Sequence, residues 1–159
     1  MKHQHFKIID KAYIVKKGNL KKLYIAGSNY EMGFQHGALL SDEIEEVASK
    51  MITKLSLILG QGNMEKGLAI FKFAAKTMEK YIPSAYKLEI KGILDGMASK
   101  QVTLLNYDDL IMYNCHADIA LFYSSEGLHP DRPSTGFPIP KPLPAVVFLH
   151  GVKPLRIIN

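Results

Sequence analysis

The sequence of 159 residues contains no tryptophan and a single cysteine, Cys115. One cysteine excludes an intrachain disulfide framework and any zinc site built from several thiolates. No apolar run reaches the roughly 18 to 20 residues that span a bilayer, and the N-terminus leads into no apolar core typical of a signal peptide. We therefore expect a soluble, cytoplasmic chain without a membrane partner. Its length allows one domain or a piece of a larger one.

The chain contains moderate numbers of basic and acidic residues, and its net charge is small. Lysine and arginine number 20 and aspartate and glutamate 15, which gives a net charge of +5. The lysines are scattered along the sequence, so the composition does not favour a nucleic-acid partner. Hydrophobic residues make up 47% and charged residues 22%, close to the average of globular proteins, and this argues against disorder throughout the chain.

Proline divides the chain into two unlike parts. Seven of the eight prolines lie between Pro130 and Pro154. Prolines at every second position fix φ and remove backbone donors, so that segment can form neither a helix nor a central strand. We expect a folded part over residues 1–123 and an irregular, proline-rich tail over residues 124–159.

The folded part has the pattern of a mostly helical α+β protein. Ser28 and Glu31 form a capping-box pattern, and apolar residues then recur at helical spacing. The predicted elements, in chain order, are a β-hairpin with strands at 12–15 and 22–26, one helix from Asn29 to Ile58, and helices over 64–82, over 84–98 and from 107 onward.

Several polar groups resemble sites but have simpler explanations. His3 and His5 lack an acidic or cysteine partner nearby, so a flexible terminus explains them better than a metal site. Asp108 and Asp109 are adjacent and face different directions on a helix, which favours capping over a carboxylate pair. The acidic cluster at residues 42–46 is typical of a solvated helix face. We expect no metal and no cofactor.

Cys115 stands beside His116, which suggests a nucleophile and its base. Neighbours on a helix point about a hundred degrees apart, so these two side chains do not face each other. A buried cysteine on an apolar stripe behaves as a small hydrophobe, which is the favoured interpretation. A free-standing thiol hydrolase that uses Cys115 remains an alternative.

Gly33 and Gly37 lie four residues apart on the first predicted helix, with His36 between them. A glycine inside a helix costs about 1 kcal/mol relative to alanine, so the pair needs a packing or functional reason. Two glycines on one face leave a groove where another element can approach closely. His36 taken alone is interpreted as a partly buried, hydrogen-bonding residue.

Three segments together resemble the acyl-coenzyme A:6-aminopenicillanic-acid acyltransferase family. They are residues 27–37, residues 83–96, and residues 104–110 with the later Asn114, in the family's order and at similar spacing. The resemblance covers about residues 20–120. The matching positions are Gly27, Tyr30, Glu31, Gly33, His36, Gly37, Gly92, Gly96 and Asn114.

The resemblance implies a fold and a mechanism. Family members are self-cleaving cysteine enzymes of the N-terminal-nucleophile hydrolase class, with an αββα fold of two stacked sheets between helical layers. The precursor cleaves itself before an internal cysteine, typically within Gly-Cys. The new N-terminal thiolate then attacks a small-molecule acyl donor, an amide or thioester, and water or an amine accepts the acyl group. This chain would hold the hairpin and the helices that precede the nucleophile strand.

The sequence departs from the family pattern at the decisive place. After Asn114 the family continues to Gly-Cys and then to Trp-Gly-x-Ala-Thr, and none of these is present. Cys115 comes too early and lacks the preceding glycine. No residue of this chain is therefore assigned a catalytic role.

The tail is compatible with a shifted reading frame. Codons for residues 144–159 and a following stop codon, read from each third base, can encode Gly-Cys-Ser-Phe-Ser-Ala-Trp-Gly-Lys-Ala-Thr-Lys-Asp-Asn-Lys-Leu, which resembles the family's nucleophile segment. We therefore expect a fragment truncated by a frameshift and inactive alone. The alternative is a genuine polyproline-II tail on a small helical binding module that recruits an SH3-like or WW-like partner. The substrate and the oligomeric state stay open.

Overall fold

The computed structural model describes residues 4–9, 11–18 and 20–126. Within these ranges the chain is mostly helical, with strands at the N-terminal end, as predicted. His3 and all of the proline-rich tail after residue 126 lie outside the described residues, and the proposed boundary at residue 123 stays a prediction. The elements are β1 (Gln4–Ile9), β2 (Ala12–Lys17), β3 (Leu20–Tyr24), α1 (Asn29–Leu39), α2 (Ser41–Leu59), α3 (Met64–Glu79), α4 (Ser84–Ala98) and α5 (Tyr107–Glu126).

The described strands form one antiparallel sheet in the order β1-β2-β3. The predicted hairpin is confirmed as β2 and β3. Strand β1 was not predicted, and the expectation of a flexible terminus is wrong for residues 4–9. The pairing of β1 with β2 shifts register between His5 and Ile8, which is the sign of a β-bulge or a similar irregularity.

One face of the sheet is apolar and covered. Ala12, Ile14 and Leu23 form a buried cluster with Leu39 of α1. Tyr13 and Tyr24, which are cross-strand partners, stack with ring centroids 4.6 Å apart. Alternation along β2 and β3 therefore places the apolar side chains towards the helix.

The prediction of a single helix from Asn29 to Ile58 is wrong. Helix α1 ends at Leu39, and Leu40 adopts φ −126° and ψ 27° while its N–H donates to the carbonyl of His36. Leu40 packs against the apolar cluster of the sheet, so tertiary contacts explain the break. The sequence hides it because the apolar spacing continues on both sides.

The chain divides into two structural units. The described part of the first consists of the strands, α1, the start of α2 up to Glu46, and residues 84–107 with α4. The described part of the second consists of α2 from Val47 onward, α3 and α5.

Close backbone contact shapes the second unit. A methyl group on Gly67 of α3 would lie 1.7 Å from the Ser56 carbonyl oxygen of α2. Asn63 caps α3, as predicted, because its side chain accepts a hydrogen bond from the Lys66 N–H at 3.0 Å. In α5 the consecutive residues Ile111 and Met112 are both buried, so this helix is packed on more than one side.

Candidate functional site

The first two resembling segments meet where α1 crosses α4. A Cβ atom on Gly33 would lie 2.1 Å from the carbonyl oxygen of Glu89, and one on Gly37 would lie 2.0 Å from that of Ile93. Real Cβ atoms essentially never come within 3.0 Å of another heavy atom in this way. The α1 glycines therefore let the two backbones touch.

The α4 glycines make the reciprocal contact. A Cβ atom on Gly92 would lie 2.2 Å from the Tyr30 carbonyl oxygen, and one on Gly96 would lie 2.2 Å from that of Phe34. All four positions thus require hydrogen as the side chain for the same steric reason. Close approach of this kind brings Cα–H groups against carbonyl oxygens, which adds weak hydrogen bonds to the dispersion attraction.

A polar contact joins the same two helices at the surface. The Tyr30 hydroxyl donates to Oδ2 of Asp95 at 2.6 Å. This hydrogen bond raises the pKa of Tyr30, because the neutral phenol is the donor and Asp95 also repels the phenolate. Tyr30 therefore acts as a hydrogen-bond donor between the helices.

The N-terminus of α1 carries the predicted capping box. Oγ of Ser28 accepts from the Glu31 N–H at 3.3 Å, and Oε2 of Glu31 accepts from the Ser28 N–H at 2.6 Å. The second bond lowers the pKa of Glu31 by stabilising the carboxylate. Gly27 has φ +129°, and a Cβ atom there would lie 2.7 Å from Oε2 of Glu31. Gly27 and Glu31, the two family-motif residues here, therefore both contribute to the N-terminal cap of α1.

Gln35 is the residue of this region that sequence reasoning missed. Its buried side chain accepts from the Ala26 N–H and donates to the Ala26 carbonyl, both at 2.9 Å. The amide thus satisfies both backbone groups of a residue just after β3 and ties the sheet to α1. The available signal was a glutamine at a helical position between two glycines of the buried face.

His36 lies on α1 without a hydrogen-bond partner for its ring among the described residues. It is half-buried, and desolvation lowers its pKa from 6.5 to about 4. The ring is therefore neutral near pH 7 and a weak base. The expected partial burial is confirmed, and the expected hydrogen bond is absent from the described part of the chain.

Asn114 and Cys115 belong to the second unit, on α5. The Asn114 amide donates to the Leu110 carbonyl of its own helix at 2.7 Å. Cys115 is buried, and desolvation, followed by the nearby Asp118 and Glu79, raises its pKa to about 12. The adjacent His116 ring stacks on Tyr113. This arrangement disfavours Cys115 as a nucleophile, because the thiol stays protonated at neutral pH.

The described residues do not gather metal ligands. Across residues 4–9, 11–18 and 20–126, no three histidine, cysteine, aspartate or glutamate side chains converge on a common point. None of the helices in this part of the chain combines the length and apolarity that crossing a membrane requires. Within the described ranges, several of the resembling residues come together at the α1–α4 crossing and its cap.

Comparison with known proteins gives one distant relative. An uncharacterised protein of Archaeoglobus fulgidus is 34% identical over 116 residues, which are 70% of this chain and 19% of that protein. The chain therefore spans about a fifth of the length of the curated relative it matches. No protein-family model matches the chain. No solved structure matches it either.

The close contact of α1 and α4 predicts that replacing a glycine by alanine destabilises the fold, which is the opposite of its usual effect inside a helix. Alanine normally stabilises a helix interior by about 1 kcal/mol over glycine. Gly33→Ala should instead lower the free energy of unfolding by about 2–3 kcal/mol, because its methyl group overlaps the Glu89 backbone. Urea denaturation measures the change. Lys91→Ala, on the exposed face of α4, is the control and should stay within about 0.5 kcal/mol. A stabilising Gly33→Ala would contradict the crossing.

The lowered pKa of His36 predicts that the folded chain loses stability in mild acid. Because folding lowers its pKa from 6.5 to about 4, the unfolded chain binds more protons between these values. The stabilisation is complete above about pH 6.5 and declines as the pH falls towards 4, by on the order of 2 kcal/mol. Urea denaturation near pH 7 and near pH 4.5 measures it. His36→Gln should show a smaller decline, and an unchanged decline would refute the assignment.

The burial and raised pKa of Cys115 predict that its thiol is alkylated slowly in the folded chain. The rise of its pKa to about 12 leaves little thiolate, so iodoacetamide should label it at least about a hundredfold more slowly than in urea. Mass spectrometry of the adduct with and without urea gives both rates. Fast labelling of the native chain at neutral pH would revive the alternative of a hydrolase that uses this thiol.

Proposed function

We propose that the chain is the N-terminal portion of a cysteine-nucleophile acyltransferase or amide hydrolase of the acyl-coenzyme A:6-aminopenicillanic-acid acyltransferase family. On this proposal the intact parent carries out acyl transfer or amide hydrolysis in the cytoplasm, and this chain alone is inactive. The observation that carries the proposal is the contact between its first two motifs. Gly33 and Gly37 lie against the backbone of α4, and Gly92 and Gly96 lie against that of α1.

This contact supports the resemblance because the two motifs are distant in sequence and meet in space. They are separated by more than forty residues in the sequence, yet each supplies glycines where the other helix needs room. Tyr30 of the first motif also donates to Asp95 of the second. A chance resemblance gives no reason for two short matches to be sterically reciprocal.

The shifted reading of residues 144–159 is compatible with the proposal. Its codons permit Gly-Cys and, further on, Trp-Gly-Lys-Ala-Thr, and the cysteine of that frame would be the nucleophile that the chain lacks. The high pKa and burial of Cys115 agree with a nucleophile located elsewhere. In the αββα fold that we propose for the parent, β1 to β3 and the described helices precede the nucleophile strand.

The chemistry of the parent follows from its nucleophile. The cysteine thiol passes its proton to the new α-amino group, whose pKa is near 8, and attacks the carbonyl carbon of an amide or thioester. The bond to the leaving amine or thiol breaks and a thioester with the enzyme forms. Water or an amine then takes the acyl group and regenerates the thiol.

The test begins with the coding DNA beyond codon 110. We expect the other frame to open through Gly-Cys-Ser and to continue. The repaired protein, once expressed, should cleave itself into two chains, and mass spectrometry should find cysteine at the new N-terminus. A repaired protein with alanine in place of that cysteine is the control and should stay intact. A closed frame, or a repaired chain that never cleaves, would overturn the proposal.

A further inference from the structure

We draw no further inference here: the strongest candidate, the open face of helix α2 on which Val47, Leu57 and Ile58 are 42–48% exposed, is an apolar surface, and nothing in the described part of the chain shows what covers it.

Discussion

Backbone contact between α1 and α4 is the constraint from which the rest of the first unit follows. Each helix carries two glycines one turn apart, and each glycine faces a carbonyl of the other helix at a distance that no methyl group could occupy. Four glycines in helix interiors cost about 4 kcal/mol of intrinsic helix propensity. Dispersion and Cα–H contacts along two touching backbones must offset that cost, so the crossing is a specific structure rather than a tolerated one.

The other polar residues of the motifs serve this crossing. Glu31 completes the cap that starts α1, and Gln35 holds the end of the sheet against the same helix. Two side chains with basic or nucleophilic chemistry are held in unreactive states, since the low pKa of His36 keeps its ring neutral and the high pKa of Cys115 keeps its thiol protonated at neutral pH. These states agree with the proposal that the reactive cysteine of a longer parent lies elsewhere.

Short sequence patterns predicted those features of the fold that depend on residues close together in the sequence. The cap at Ser28, the hairpin of β2 and β3 and the bounds of α4 are all confirmed, because each depends on residues close in sequence. The break at Leu40 and the role of Gln35 depend on contacts with the sheet, which no short pattern encodes. Strand β1 is a short segment at the N-terminal end, and its pairing with β2, with a shifted register, appears only in the structure. The groove at Gly33 and Gly37 was predicted, but only the structure shows that α4 occupies it.

The most direct test of the crossing is a proton–proton NOE measurement on the folded chain. The α-protons of Gly33 should give strong cross-peaks to the α-proton of Glu89, because a Cβ atom on Gly33 would lie only 3.0 Å from the Glu89 Cα. Those of Gly92 should do the same with the Phe34 amide proton. Strong cross-peaks at both places would establish that the two motifs share one backbone contact. Their absence in a folded sample would contradict the account at its base.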